Sequence, residues 1–373
     1  MMKPEKIAIV HDWLVTDGGA EKVLKNIIDL YPDADIFTLV DFLNEQEREA
    51  ILGGRKTNTS FIQKLPFAQK QFRHYLAFFP KAIEQLDLSE YDLIISSSWA
   101  VAKGVKKTEK QLHISYCHTP IRYAWDLYDE YTADLPVFVK QTVQGILKYI
   151  KKWDYRSSNR IDFFIANSSF VKERIARNYQ REAVVIHPPV DTDSFTLENK
   201  KEDFYLTVSR LVPYKKVSMI VKAFNLSGKK LVVIGGGPEY NLILSIAKRN
   251  VEVLGWQERE RIIDYMQRAK AFIYAAEEDF GIVPVEAMAC GTPVIAYGVG
   301  GVRDSVVENK TGVFFMEQSE KSLNKAIERF EGIAFEYKKI AKHASVFATA
   351  RFKDEFGSYI ELCLKEFYDK KYH

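Results

Sequence analysis

The sequence predicts an α/β protein made of two doubly wound, Rossmann-like domains facing each other across a cleft. Three observations carry that prediction. Short apolar runs alternate with longer amphipathic stretches, the signature of β-α-β units around a parallel sheet. The apolar runs are continuous rather than alternating, as strands buried on both faces require. The pattern also breaks once, at His187–Asp203, and then starts again. A length of 373 residues suits two or three domains of roughly 100–200 residues each.

In the first half the predicted strands are Lys6–Asp12, Asp35–Val40, Asp92–Ser98, His113–His118, Phe163–Ser169 and Val184–Val190. In the second half they are Phe204–Leu211, Leu231–Gly237, Val251–Trp256, Ala271–Glu278, Pro293–Gly298 and Gly312–Phe315. The break between the halves holds Pro188 and Pro189 and then a polar, charged stretch, which reads as a linker. The first domain is therefore 1–188 and the second 189–350. From Ser319 the chain reads as helical, and its last helix, Arg351–Tyr368 within 351–373, is expected to return to the first domain.

Composition narrows the function. Lys and Arg number 53 against 50 Asp and Glu, a net charge of +3. That balance argues against a dedicated nucleic-acid binder, which carries a clear basic excess. Cys117, Cys290 and Cys363 are too far apart for a disulfide framework or a C-x-x-C zinc site, so a reducing, cytoplasmic setting is expected. No apolar stretch approaches the ~20 residues of a membrane span. The first apolar run, Ile7–Val10, is too short for a signal-peptide core. The charge is nevertheless sorted. Residues 1–50 hold 5 basic and 11 acidic side chains. Residues 51–83 hold no acid, and carry Arg55, Lys56, Lys64, Lys70, Arg73 and Lys81 among Phe61, Phe67, Phe72, Tyr75, Phe78 and Phe79. A second basic cluster, Lys148, Lys151, Lys152, Arg156 and Arg160, falls on a helical stretch. Such segments suit an anionic bilayer surface, where each cation contributes about 1 kcal/mol; a solvated face over an aromatic core is the alternative.

Ligands of doubly wound sheets bind at the carboxyl ends of the strands, so motifs there carry the chemistry. Gly18 and Gly19 precede an amphipathic helix after the first strand, where backbone N–H groups favour an anion. A plain strand-to-helix turn is the other reading, and the pattern is not GxGxxG. Gly236 lies in a second glycine loop, Ile234–Tyr240, for which phosphate contact and tight packing are both open. Arg210 and Lys215 follow a buried-type strand and suit a diphosphate. Glu278 ends another strand, and Glu286 lies eight residues on, in a short helix that starts near Pro284 and is stopped by Gly291. Two carboxylates at one sheet edge suit ribose and sugar hydroxyls. His118 ends a strand of the first half, with Arg122, Tyr123, Trp125 and Asp126 nearby in Tyr116–Tyr131. Asp191–Asp193 spells DTD, but its place in the linker favours a turn over a metal site. No Cys/His cluster with metal spacing and no G-x-S-x-G nucleophile elbow is present in the sequence.

Taken together, GGAE (Gly18–Glu21), SRLVPYKK, GGGPE and the Glu278/Glu286 pair within EEDFGIVPVEAMACGTPVIA resemble, in order and spacing, a retaining glycosyltransferase of family 4 with the GT-B fold. The segments from Ser60 to Val105 and YCHTPIRYAWD resemble the O-antigen mannosyltransferase type within it. The resemblance implies roles. Gly19 meets the donor phosphate, Arg210 and Lys215 neutralise the diphosphate, and Glu286 holds the ribose. Glu278, with backbone of Phe280, Gly281, Ile282 and Val283, holds the transferred sugar, and His118 lies beside the anomeric centre. It implies a nucleotide-sugar donor, GDP-mannose before UDP-sugars, and a lipid-linked or oligosaccharide acceptor at the inner face of the cell membrane. No cofactor and no metal are expected. Ser209 and Lys216 stand where the family often has glycine. Rival readings are a UDP-sugar transferase, a nucleotide-sugar epimerase of the same shape, a two-domain sugar-binding protein and, weakest, a Rossmann dehydrogenase.

Overall fold

The structure is a computed structural model that describes residues 4–16, 18–126 and 137–372. The chain divides into two compact units, Met1–Pro189 with Phe352–His373, and Val190–Arg351.

The first unit is built on a seven-stranded parallel sheet. Its strands are β1 (Ile7–His11), β2 (Asp35–Thr38), β3 (Asn58–Thr59), β4 (Leu93–Ser98), β5 (Leu112–Cys117), β6 (Phe163–Ala166) and β7 (Ala183–Val185), in the order β3-β2-β1-β4-β5-β6-β7. Strand β3 has two residues and no apolar run, so the periodicity gave no sign of it. The register aligns His11 with Thr38 on one side and Ser97 on the other. On one face the helix Gly19–Leu30 buries Val23, Leu24, Ile27 and Ile28, a stripe at helical spacing. The last helix, Thr349–Tyr372, lies on the same core with Phe352, Phe356, Ile360 and Cys363, and Lys353 pairs with Asp29 at 2.8 Å. Trp13, Phe72, Phe79, Ile94, Ile150 and Trp153 form the core of the other face.

That second face holds a fully buried ion pair, Lys103 with Asp154 at 3.2 Å. Lys103 also donates to the Ala100 carbonyl at 2.6 Å, while Asp154 accepts from Trp125 at 2.8 Å and from Tyr179 at 2.6 Å. With an acceptor for the ammonium and donors for the carboxylate, the desolvation of the charges is offset, but losing one leaves the other buried alone.

The second unit repeats the design with six parallel strands: β8 (Tyr205–Val208), β9 (Leu231–Ile234), β10 (Val251–Gly255), β11 (Ala271–Tyr274), β12 (Val294–Tyr297) and β13 (Gly312–Phe315), ordered β10-β9-β8-β11-β12-β13. The helices Val217–Ser227 and Glu320–Glu331 cover one face, burying Ile220, Phe224, Ile327 and Phe330. The helices Ile282–Ala289 and Tyr337–Ala344 lie on the other.

The expected linker is not a free tether. Val190 pairs with Ala348 and Phe195 enters the second core. Lys201 donates to Thr292 Oγ1 at 2.8 Å and to the carbonyls of Cys290 and Gln267, and burial lowers its pKa to about 8. The polar composition concealed this because a lysine ammonium, alongside the apolar anchor Phe195, makes the attachment. Among the described residues no helix is long and apolar enough to cross a membrane.

Two stability predictions follow from the first unit. Lys103→Ala should cost about 3–5 kcal/mol in urea unfolding, well above the effect of an exposed substitution. His113 is fully buried, its Nε2 2.9 Å from Ser96 Oγ, and burial lowers its pKa to about 3. The unfolded chain therefore binds the proton first as pH falls. The stability held by the neutral ring is complete above the unfolded pKa of about 6.5 and drains away toward pH 3. Denaturant titrations at pH 7 and pH 5 should show His113→Gln removing about 2 kcal/mol of the acid loss seen in the wild type.

Candidate active site

In each sheet the strand order reverses direction once, between β1 and β4 in the first unit and between β8 and β11 in the second. Loops leaving neighbouring strands on either side of such a point diverge and open a crevice at the carboxyl edge.

In the first unit, Asp12 closes this point. Its buried carboxylate accepts the backbone N–H of Trp99 at 2.6 Å, of Ala100 at 2.8 Å and of Ala102 at 2.6 Å, and the Ser98 hydroxyl at 3.2 Å. A carboxylate out of water needs several donors, and the turn after β4 supplies them. Beside it, Ser97 Oγ lies 3.2 Å from Nδ1 of His11 and 2.9 Å from Nε2 of His118. His118 also sits edge-on to Trp99 and Tyr116. Burial pushes its pKa down to about 3, so the ring is neutral at physiological pH.

Gly18 caps the helix that Gly19 begins. A Cβ on Gly18 would come 2.9 Å from Glu21 Oε2. The helix start expected to face an outside anion thus has a carboxylate of its own chain against it, and the glycine makes room for that side chain. Trp125 donates to the buried Asp154, and Asp126 accepts from Arg174 and Arg177. Arg122 is half-buried in the helix Arg122–Trp125. The last five residues of Tyr116–Tyr131 lie outside the described residues.

In the second unit the reversal brings Lys215, in the loop after β8, to Glu278, beyond β11. Lys215 Nζ lies 2.5 Å from Glu278 Oε1, and the buried Tyr274 hydroxyl donates to Glu278 Oε2. Burial, then the Glu278 charge, raises the Tyr274 pKa well above its ordinary value, so the phenol remains a donor. Lys215 is therefore already paired, not an isolated cation. Arg210 is exposed and makes no ion pair among the described residues. Strand β11 ends at Tyr274, four residues before Glu278, whose carbonyl accepts the Gly301 N–H at 2.8 Å. The helix carrying the half-buried Glu286 starts at Ile282, two residues before the expected Pro284, because Gly281 at φ 90° turns the chain into it. Ile282 and Val283 form its first turn. The Phe280 ring is not at the edge but in the core against Phe347, leaving only its backbone for a ligand.

The glycine loop after β9 is resolved in favour of packing at two positions. Gly235 has φ 142°, and a Cβ there would lie 1.8 Å from the Ser209 carbonyl oxygen. Gly237, at φ 150°, is similarly tight against Leu211. The fold makes no such demand at Gly236, whose nearest neighbour would be Trp256 Cβ at 4.0 Å. Asp191 of the DTD triplet accepts from Ser194, the bond of a turn, and, at 3.0 Å, from Arg259.

The basic aromatic segment is split by its packing. Phe72 and Phe79 are buried beside Trp13, with Arg73 over the Phe72 ring. Phe67 is 79% exposed, Phe78 53% and Phe61 38%, and Lys56, Lys64, Lys70, Arg73 and Lys81 are exposed around them. Arg55 departs from the expectation: it is half-buried and donates to the Pro32 and Leu52 carbonyls. Arg160 is likewise tied to Glu84 at 2.8 Å, while Lys148, Lys151, Lys152 and Arg156 are exposed.

Sequence reasoning missed Tyr274, Asp12, His11 and Ser97. The available signal was position: each is a polar group at the carboxyl end of an otherwise apolar parallel strand, where burial demands a partner.

Comparison with known proteins agrees with this reading of the fold. Residues 17–194 match the family model for Glycosyltransferase Family 4, and residues 191–345 match that for Glycosyl transferases group 1. An uncharacterized glycosyltransferase of Methanocaldococcus jannaschii is 27% identical over 196 residues, 51% of this chain and 54% of the relative. The alpha-1,3/1,6-mannosyltransferase alg-2 of Neurospora crassa is 28% identical over 216 residues, covering 43% and 46%. The chain thus spans about half the length of these curated relatives. Among solved structures, Anabaena HepE in complex with UDP superposes with a TM-score of 0.67 at 18% identity, over 95% of this chain and 99% of that one. With the two matches together running from residue 17 to 345, the chain belongs to the glycosyltransferases of these two family descriptions and has the GT-B fold.

Proposed function

We propose that the protein is a retaining glycosyltransferase that moves a sugar, mannose from GDP-mannose in the first instance, to a lipid-linked or oligosaccharide acceptor in cell-surface polysaccharide synthesis of the O-antigen kind. The observation that carries this reading is the arrangement at the reversal point of the second sheet. There an exposed Arg210 accompanies a Lys215–Glu278–Tyr274 cluster.

Cleaving a sugar–phosphate bond builds negative charge on the departing diphosphate and positive charge on the sugar. Fixed cations aimed at the negative end stabilise that transition state without reorganisation. In our reading the diphosphate draws on Arg210 and Lys215. Glu278 then offers to sugar hydroxyls the oxygen that Lys215 had held, while Tyr274 keeps the carboxylate oriented. Glu286 takes the ribose, and His118 and Gly19 serve from the first unit. Phosphate and acceptor exchange on the same face of the sugar, the leaving phosphate taking the acceptor's proton, and the two cations stand in for a divalent metal. The mannosyltransferase name of the Neurospora relative supports mannose. A UDP-sugar is the alternative donor, UDP being the nucleotide with which Anabaena HepE is in complex.

We also propose that the first unit docks on the cytoplasmic leaflet of the cell membrane. Phe61, Phe67 and Phe78 form its apolar contact and the exposed lysines and Arg73 its electrostatic one. Phe67 has φ 55°, an uncommon backbone conformation for a bulky residue, and it carries the most exposed of these rings.

Glu286→Ala and Lys215→Ala should stay folded and lose donor affinity or rate, whereas EDTA should leave turnover unchanged; full activity in either variant would overturn the site. A thermal-shift panel of GDP, UDP, GDP-mannose and UDP-sugars names the donor, since a ligand at 100 times its Kd adds about 2.7 kcal/mol. Flotation with phosphatidylserine liposomes at low salt should recover the wild type. Phe67→Ser combined with Lys64→Ser and Lys70→Ser should abolish that recovery, and absence of wild-type binding would remove the membrane reading.

A further inference from the structure

Glu21, the acid of the GGAE motif, has no part in donor binding as described above. Yet it is only 5% exposed, and a Cβ at Gly18 would crowd its Oε2. Its Oε1 lies 3.8 Å from Nε2 of His11, a buried nitrogen with no hydrogen-bond partner. These facts constrain where the protons of this cluster sit.

A lone pair on Nε2 of His11 would face a carboxylate, so that nitrogen carries the hydrogen. A neutral imidazole has one N–H, which leaves Nδ1 of His11 as an acceptor. The Ser97 hydroxyl, 3.2 Å away, has a single hydrogen and donates it there. Ser97 Oγ then has only lone pairs for Nε2 of His118 at 2.9 Å, and that nitrogen must be the donor.

We propose that Glu21, acting through His11 and Ser97, fixes the tautomer of His118, with the proton on Nε2 facing inward and Nδ1 left as a hydrogen-bond acceptor. The ring is neutral at pH 7, as this requires. Resting on the reading of His118 as a sugar-side residue, the inference assigns it the job of accepting from a sugar hydroxyl. Glu21, His11 and Ser97 are positioning residues.

The test is a long-range proton–nitrogen correlation spectrum of the full chain labelled with 15N-histidine, with His118 assigned from a His118→Gln variant. The wild type should show His118 as the Nε2–H form. Glu21→Ala should convert it to a mixture of tautomers, and Glu21→Gln, which keeps an oxygen for His11, should restore the single form. Ser97→Ala should break the relay at its centre and give the same mixture. In the same variants kcat should fall roughly three- to ten-fold, the worth of one hydrogen bond, with donor KM little changed. An Nδ1–H form in the wild type, or one unaltered by Glu21→Ala, overturns the proposal. A wild type with the expected tautomer but no glycosyl transfer would support the tautomer assignment and remove the functional reading instead.

Discussion

A carboxylate placed at the carboxyl end of a buried parallel strand must find donors, and both units are organised by meeting that demand. In the first, Asp12 gathers three backbone N–H groups from the turn after β4. In the second, Glu278 is met by Lys215 from beyond β8 and by Tyr274 from β11 itself. Each set of bonds ties together the two loops that diverge where the strand order reverses. An edge that would otherwise splay is held in one geometry.

The two solutions differ in chemistry, and the difference suits two roles. The donors to Asp12 are three backbone N–H groups and the Ser98 hydroxyl, around a carboxylate that is completely buried. That cluster is a fixed clamp, and it orders Ser97 and through it His11 and His118. Glu278 is held by side chains instead, and it and Lys215 remain partly open to solvent above the buried Tyr274. A charged ligand can compete for Lys215, and Glu278 can change partners while Tyr274 keeps its orientation. Preorganised groups of this kind cost nothing to arrange at the moment of reaction.

Packing also sorts residues that composition treats alike. Within 51–83, Phe72 and Phe79 serve the core under Trp13, while Phe61, Phe67 and Phe78 face outward among cations. Arg55 and Arg160 look in the sequence like members of basic patches, yet each is spent on backbone carbonyls or a buried-side carboxylate. The same sorting separates Gly235 and Gly237, which the backbone requires, from Gly236, which it does not.

The sequence by itself determined the two parallel sheets, because continuous apolar runs such as Leu231–Ile234 admit burial on both faces and little else. It also determined which strand ends carry charge, since Arg210 and Lys215 follow one apolar run and Glu278 and Glu286 follow another. It did not reveal β3, too short for a period, or the attachment of Lys201, a cation doing the work of a core residue. Pairing was decided by tertiary structure alone. Lys215 and Glu278 are 63 residues apart, and His11 and Ser97 are 86 apart; only the crossover that makes β8 and β11, or β1 and β4, neighbours brings each pair within reach. The sequence could show that these residues are polar at strand ends, but which polar group satisfies which is a property of strand order.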